Sequence, residues 1–206
     1  MELIIDGEGD KGVIVFAHGS SLAMDHEYMQ DMALRLAAQG LKVIRFEFPY
    51  MADRRSTGKK GFPNQLPVLI ASLREVVEYV KSTILAPSQP LYLAGKSLGG
   101  RVASHLYLEG GFAGLFVFGY PFHPAKDNTK LRISHFPEIT ENVYIFQGER
   151  DKLGNKSEVE NYQLNQNIHI FWLEDGDHDL VPRVRSGYSK EQHFSYVIDK
   201  IAQLLS

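Results

Sequence analysis

One serine of the chain stands in a segment whose residue types and spacing favour nucleophilic chemistry. A Gly-x-Ser-x-Gly motif at residues 95–99 follows the apolar run 91–94 and precedes residues that can begin a helix. This order predicts a sharp strand-to-helix turn, a nucleophile elbow, that holds the Ser97 hydroxyl at its apex. The flanking glycines suit such a turn because a side chain would crowd the neighbouring strand and helix. A chance match in a loop rich in glycine and serine is the alternative interpretation.

A serine hydroxyl is a poor nucleophile unless a histidine, itself oriented by a carboxylate, accepts its proton. Proteins built on such an elbow carry these groups in the order serine, acid, histidine. Functional groups of parallel sheets also lie beyond the carboxyl ends of the strands. The acid is therefore predicted at Asp151, after the strand-like run 143–146, with Glu149 as the weaker competitor. Capping of the next helix is the alternative role of Asp151.

The base is predicted at His178, which follows the strand-like run 168–173 inside the acidic segment 174–179. Its neighbours Asp177 and Asp179 favour the imidazolium that forms during turnover. The acidic segment could instead bind a cation, although its spacing lacks the full EF-hand pattern. We expect no metal and no cofactor. Structural roles explain most of the other histidines better: His18, His26, His105, His123, His135, His169 and His193.

The oxyanion that forms on a carbonyl substrate needs two backbone N–H donors. One is predicted at Leu98, the residue after the nucleophile, and the other at Ser20 in the loop 16–21. Gly19 allows this loop to approach a substrate closely. His18 is expected to brace the loop, because it precedes the nucleophile in the chain.

Basic residues fall on segments that we expect to face the same edge. They are the cluster 54–60, Arg183 and Arg185 after the predicted base, and Lys96 and Arg101 beside the nucleophile. We predict that Arg54, Lys96 and Arg183 bind substrate and favour an anionic ester or acyl group. Solvated surface charge is the alternative interpretation.

Strand-like and helix-like segments alternate along the chain, which predicts an α/β fold with a parallel sheet flanked by helices on both faces. The predicted strands are 13–17, 41–48, 91–94, 115–118, 143–146 and 168–173. The predicted helices are one capped by Asp25 and ended by Gly40, then 69–84, 98–108, 158–164 and 194–205. Residues 121–140 lack both patterns and are long enough for a flap but too short for a cap domain.

Bulk properties fit a single domain over residues 1–206, with 44% hydrophobic residues, 23% charged residues and a net charge of −3. The slightly acidic balance argues against nucleic-acid binding. The chain contains no cysteine, which excludes disulfides, cysteine metal sites and a cysteine nucleophile. No secretory signal pattern and no membrane-spanning apolar run is visible, so we expect a cytoplasmic protein without a membrane partner. The oligomeric state is left open.

Five segments together resemble the α/β-hydrolase superfamily. They are Phe-Pro-Tyr-Met at 48–51, Gly-Lys-Ser-Leu-Gly-Gly-Arg at 95–101, Gly-Tyr-Pro-Phe-His-Pro at 119–124, Gln-Gly-Glu-Arg-Asp at 147–151 and Glu-Asp-Gly-Asp-His-Asp at 174–179. Within the superfamily they are similar to a small group of testis-expressed-protein-thirty-like and nonspecific-lethal-complex hydrolase-like proteins. The resemblance implies an α/β-hydrolase fold with little or no cap domain and supports the positions of Ser97, Asp151 and His178. Similar proteins usually carry a further glycine where this chain has Ser20 and Ser21.

These observations predict a serine hydrolase that cleaves a small ester, thioester or related acyl bond through an acyl-enzyme. Its partner would be a small-molecule acyl substrate, for which the basic residues suit an anionic group. A non-catalytic interaction module with the same fold is the alternative, because fold does not fix function. A peptidase of the same fold is less attractive, because no segment of the sequence resembles a large gating domain.

Overall fold

A computed structural model describes residues 2–205 and contains a seven-stranded sheet. Met1 and Ser206, the ends of the predicted domain, lie outside these residues. The strands are β1 (Leu3–Asp6), β2 (Gly12–Ala17), β3 (Leu41–Phe46), β4 (Leu91–Lys96), β5 (Gly114–Phe118), β6 (Val143–Gly148) and β7 (Ile168–Leu173). They lie in the order β1-β3-β2-β4-β5-β6-β7, and every pairing is parallel except that of β1 with β3.

Helices cover both faces of this sheet. They are α1 (Glu27–Ala37), α2 (Pro49–Thr57), α3 (Leu66–Thr83), α4 (Leu98–Leu106), α5 (Lys156–Val159) and α6 (Lys190–Leu204). Helices α3 and α4 pack on one face, and α1 and α6 pack on the other. The predicted α/β class with a mostly parallel sheet is therefore confirmed.

Strand β2 shows how the sequence produces this layering. All six of its residues are buried. Val13 and Val15 face the layer of α3 and α4, whereas Ile14 and Phe16 face the layer of α1 and α6. Successive side chains of a strand point to opposite faces, so a continuous apolar run gives a strand covered on both sides.

Three of the differences between predicted and observed boundaries have a local cause in the sequence. The side chain of His26, rather than that of Asp25, caps α1 by accepting a hydrogen bond from the backbone N–H of Tyr28. Pro49 begins α2 instead of merely closing a strand, since its fixed φ suits the first helical turn. The helix predicted at 158–164 is the single turn α5, which begins after the capping residue Asn155.

The segment that was expected to lack regular structure contains only a short 3₁₀ turn, Phe136–Glu138. It forms no cap domain over the carboxyl edge of the sheet. Among the residues described, no helix has the length and apolar character needed to cross a membrane.

Candidate active site

Ser97 lies at the turn between β4 and α4 with an unusual backbone conformation. Its φ of 51° and ψ of −115° place it in a strained region that few residues other than glycine adopt. The neighbouring glycines make this turn possible. A Cβ at Gly95 would overlap the backbone of Gly100, and a Cβ at Gly99 would overlap the carbonyl of Ala17 in β2. The predicted elbow geometry is thus present.

A continuous chain of hydrogen bonds connects the three predicted functional side chains. Ser97 Oγ lies 2.7 Å from Nε2 of His178, and Nδ1 of His178 lies 2.7 Å from Oδ2 of Asp151. Both bonds are satisfied when Nδ1 carries the proton and Nε2 accepts from the serine hydroxyl. This arrangement can remove a proton from Ser97 and stabilise the resulting imidazolium.

The Asp151 carboxylate is fully buried and held from two further directions. Gln147 Nε2 donates a 2.8 Å hydrogen bond to Oδ2, and the backbone N–H of Leu153 donates a 2.8 Å bond to Oδ1. The competitor Glu149 instead accepts a 2.8 Å hydrogen bond from Lys156. Gln147 was not predicted as a site residue, although it begins the segment 147–151 that ends with Asp151.

The buried side chain of Lys96 supports the loop that carries His178. Its side chain is 1% exposed, and Nζ donates a 2.7 Å hydrogen bond to the carbonyl of His178 while it pairs with Asp179 at 3.1 Å. Burial lowers the pKa of Lys96, and the Asp179 carboxylate acts against this shift. The ammonium is therefore engaged by the loop. Lys96 also lines a cavity of about 200 Å³ with Ser97 and His178, and its role in binding substrate stays a prediction.

The other two predicted substrate-binding residues do not line the cavities that Ser97 lines. Arg54 lines a cavity of about 320 Å³ with Asp25 and Glu47, and Ser97 does not line it. The Arg183 guanidinium pairs with the Asp175 carboxylate, which keeps the pKa of that carboxyl well below its usual value. Arg54 lies in α2 and Arg183 in the segment after β7, and their role in binding substrate stays a prediction.

The predicted oxyanion donors share a cavity of about 310 Å³ with Ser97. The backbone N–H groups of Ser20 and Leu98 donate no hydrogen bond to any residue from 2 to 205. Tyr50 Oη donates a 3.1 Å bond to the Ser20 carbonyl and so fixes the loop. Neither Ser20 nor Ser21 has a positive φ, so this backbone does not require the glycine found in similar proteins.

His18 is buried beneath this loop and bonded through both ring nitrogens. Nδ1 donates a 2.7 Å hydrogen bond to the Gly19 carbonyl, and Nε2 accepts a 3.0 Å bond from the backbone N–H of Phe48. Burial lowers the pKa of His18. These contacts correspond to the bracing position expected for His18.

Carboxylates of the acidic segment 174–179 form hydrogen bonds and ion pairs with other groups of the protein. Asp177 Oδ1 accepts hydrogen bonds from the backbone N–H groups of Asp179 and Val181 at 2.9 and 3.0 Å. Within the part of the chain that the structure describes, no group of three or more histidine, aspartate or glutamate side chains is arranged to hold a metal ion.

Two arginines that the sequence did not single out for binding line the same cavity as Ser97. Arg101 lies one turn into α4, and Arg132 lies in the segment without regular structure. The position of Arg101 after the elbow was a usable signal, since residues four apart share a helix face. No sequence pattern indicated Arg132, because only the folding of its segment brings it to the cavity.

Comparison with known proteins agrees with this fold. The chain resembles an alpha-beta serine hydrolase homologue from Coxiella burnetii (18% identity, 98% of this chain and 88% of that chain, TM-score 0.67). It also resembles a serine hydrolase without a lid from Xanthomonas campestris (20% identity, 98% and 85%, TM-score 0.64). An esterase from Pyrococcus furiosus is similar too (17% identity, 96% and 84%, TM-score 0.70). A model of the alpha/beta hydrolase domain family matches residues 10–206, and the chain therefore belongs to this family.

Proposed function

We propose that the protein is a serine hydrolase that cleaves a small ester, thioester or related acyl bond through an acyl-enzyme. One observation carries this proposal: the unbroken hydrogen-bonded chain from Ser97 Oγ through the His178 imidazole to the buried Asp151. The carboxylesterase or thioesterase type, the small-molecule acyl substrate and the cytoplasmic location belong to the same proposal. The narrower resemblance to testis-expressed-protein-thirty-like proteins is part of this proposal as well.

In the acylation step, Ser97 Oγ attacks the substrate carbonyl carbon while His178 Nε2 accepts the hydroxyl proton. The carbonyl oxygen becomes an oxyanion and accepts hydrogen bonds from the backbone N–H groups of Ser20 and Leu98. Both residues line the cavity beside Ser97, which supports this role. The bond from carbon to the leaving group then breaks, and the leaving group takes the proton from the imidazolium. An acyl group remains on Ser97.

In the deacylation step, a water molecule gives its proton to His178 and attacks the acyl carbon. The bond to Ser97 Oγ breaks, the serine recovers its proton, and a carboxylic acid leaves. Asp151 stabilises the imidazolium in both steps, and its bonds from Gln147 and Leu153 keep it oriented toward the ring. No cofactor enters this scheme.

The related structures support the proposal in a limited way. The proteins from Coxiella burnetii and Xanthomonas campestris are described as serine hydrolases, and the one from Pyrococcus furiosus as an esterase. These likenesses concern the fold. The chemistry of this chain rests on its own side chains, because fold alone does not fix function.

Labelling with a fluorophosphonate, together with hydrolysis of short p-nitrophenyl esters, tests the proposal. We expect Ser97→Ala to abolish labelling and to lower kcat by at least about a thousandfold. The matched control is Ser195→Ala, which removes an exposed hydroxyl on α6 and should leave both signals unchanged. Full labelling of the Ser97→Ala variant would refute the nucleophile. Absence of any reaction in folded wild-type protein would favour a non-catalytic interaction module.

A further inference from the structure

The cavity beside Ser97 combines apolar walls with two guanidinium groups. It measures about 310 Å³, and its apolar lining includes Leu66, Leu69 and Leu153. Arg101 and Arg132 line it as well. A cavity of this kind binds an apolar chain along its walls and takes orientation from its few polar groups.

The position of Arg101 in the first turn of α4 places it in the lining of the cavity. Its backbone N–H donates a 3.0 Å hydrogen bond to the Ser97 carbonyl, so the two residues lie one helical turn apart on the same face. The Nε atom of Arg101 is buried and has no hydrogen-bond partner. Across residues 2–205, no carboxylate oxygen lies within 4.0 Å of its guanidinium.

Arg132 is fixed in the cavity wall by backbone bonds. Its N–H donates to the Phe122 carbonyl at 2.8 Å, and its carbonyl accepts from Tyr120 Oη at 2.8 Å. Burial lowers the pKa of Arg132, and the nearby positive charge of Arg101 lowers it further. Within the described chain, its guanidinium also forms no ion pair.

The side chains around these arginines supply no compensating anion. Burial raises the pKa of Tyr120, so the phenol is neutral at physiological pH. Burial, together with the nearby His105 and Arg101, lowers the pKa of His135 to about 3, so its imidazole is neutral as well. Most other arginines have a carboxylate partner: Arg35, Arg45, Arg55, Arg74, Arg150 and Arg183.

We propose that Arg101 and Arg132 bind a carboxylate carried by the acid portion of the substrate. Two half-buried guanidinium groups repel each other unless an anion joins them, and the planar guanidinium matches a carboxylate with two parallel hydrogen bonds. This inference rests on the proposed function and names its substrate class: half-esters or half-thioesters of short dicarboxylic acids. The chain between the two carbonyl groups is short, because Ser97, Arg101 and Arg132 all line one cavity of about 310 Å³.

The reaction balances without a co-reactant other than water. With a monomethyl dicarboxylate, Ser97 Oγ bonds to the ester carbon, and methanol leaves with the proton that His178 accepted from the serine. Water then cleaves the acyl-enzyme and leaves the free dicarboxylate. The distal carboxylate stays between the two arginines throughout and takes no part in the bond changes.

The turnover experiment compares monomethyl glutarate with dimethyl glutarate by kcat/KM. We expect the wild-type protein to prefer the carboxylated ester by about tenfold to a hundredfold, as charge-assisted hydrogen bonds allow. The Arg101→Gln and Arg132→Gln variants, singly and together, should lose this preference, because KM for the monomethyl ester rises by more than KM for the dimethyl ester. Arg74→Gln, which breaks an exposed ion pair with Glu109 and does not alter the lining of the cavity, is the control and should change neither rate.

A binding experiment keeps the inference separable from the proposed function. Calorimetry with the Ser97→Ala protein and monomethyl glutarate measures recognition without chemistry, and thermal melting checks that each variant is folded. We expect binding to weaken at least about tenfold when both arginines become glutamine. If the Arg101→Gln variant does not fold, the binding of monomethyl glutarate to the Arg132→Gln variant decides whether the inference holds.

The outcomes separate the two claims. Hydrolysis of neutral esters with no preference for the carboxylate, and no glutarate binding that depends on the arginines, overturns this inference and leaves the proposed function standing. Arginine-dependent binding in a wild-type protein that neither labels nor hydrolyses any ester supports the anion site and overturns the proposed function.

Discussion

His178 is held from both its ring and its backbone. Its imidazole lies between Ser97 and Asp151, and its carbonyl accepts a hydrogen bond from the buried Lys96. The ring therefore has little freedom to turn away from the serine. Such outer contacts matter because a catalytic group must be held within a fraction of an ångström of its working position.

Substitution can test whether Asp151 or Glu149 is the carboxylate that orients His178. Asp151→Asn should lower kcat by about three to four orders of magnitude, because an amide no longer stabilises the imidazolium. Glu149→Gln is the control, since Glu149 pairs with Lys156 and does not contact His178. Ester hydrolysis measured on both variants separates the two carboxylates. A large loss with Glu149→Gln and none with Asp151→Asn would show that the acid has been misassigned.

The sequence predicted the three side chains of the hydrogen-bonded chain but not the groups around them. Ser97, Asp151 and His178 each follow an apolar run, so their meeting at one edge follows from strand order. Gln147 in β6 and Arg132 in the segment 121–140 reach the site through contacts between separate parts of the chain, which no spacing in the sequence reveals. The substrate-binding role of Arg54, Lys96 and Arg183 stays a prediction. Their charge is visible in the sequence, but the pairing of Lys96 with Asp179 and of Arg183 with Asp175 is not.

Elements with continuous apolar patterns were predicted well, and short or edge elements were not. Strand β7 matches its predicted range of 168–173, because a buried strand between two turns has few alternatives. Strand β1 was missed because it is only four residues long and lies at the edge of the sheet. Helix α2 was missed because Pro49 was interpreted only as the end of a strand.

The close approach of β4 and α4 gives a prediction about the elbow. Gly95→Ala should lower the free energy of unfolding by about 3 kcal/mol, because the added Cβ would meet the backbone of Gly100. Gly61→Ala is the control, since nothing lies within 4 Å of its Cβ position. Urea denaturation of both variants checks the prediction. Equal stability of the two would show that the turn is looser than the structure indicates.

At the scale of the whole molecule, the parallel sheet brings distant parts of the chain together. Ser97 follows β4, Asp151 follows β6, and His178 follows β7, and these strands lie within four adjacent positions of the sheet. Helical layers on both faces make the sheet a rigid base for the site. Three loops therefore meet at the carboxyl edge although 81 positions separate the serine from the histidine.

Stability should depend on pH through His135. Its folded pKa of about 3 lies below the ordinary value of 6.5, so the native state binds fewer protons than the unfolded state between these values. The contribution of His135 to the free energy of unfolding is therefore fully present above pH 6.5 and is lost as the pH falls toward 3. Replacement by glutamine should flatten this decline relative to His169→Gln on β7, in urea denaturation at pH 7, 5 and 4. Identical pH slopes for the two variants would contradict the neutral, buried state of His135.

The most direct test of the central claim is the capture of the acyl-enzyme. Acid quenching during turnover of p-nitrophenyl acetate, followed by peptide mass mapping, should find an acetyl group on Ser97 in wild-type protein and none in the Ser97→Ala variant. Turnover of the ester with no covalent adduct, or with an adduct on another residue, would contradict a mechanism in which His178 and Asp151 activate Ser97.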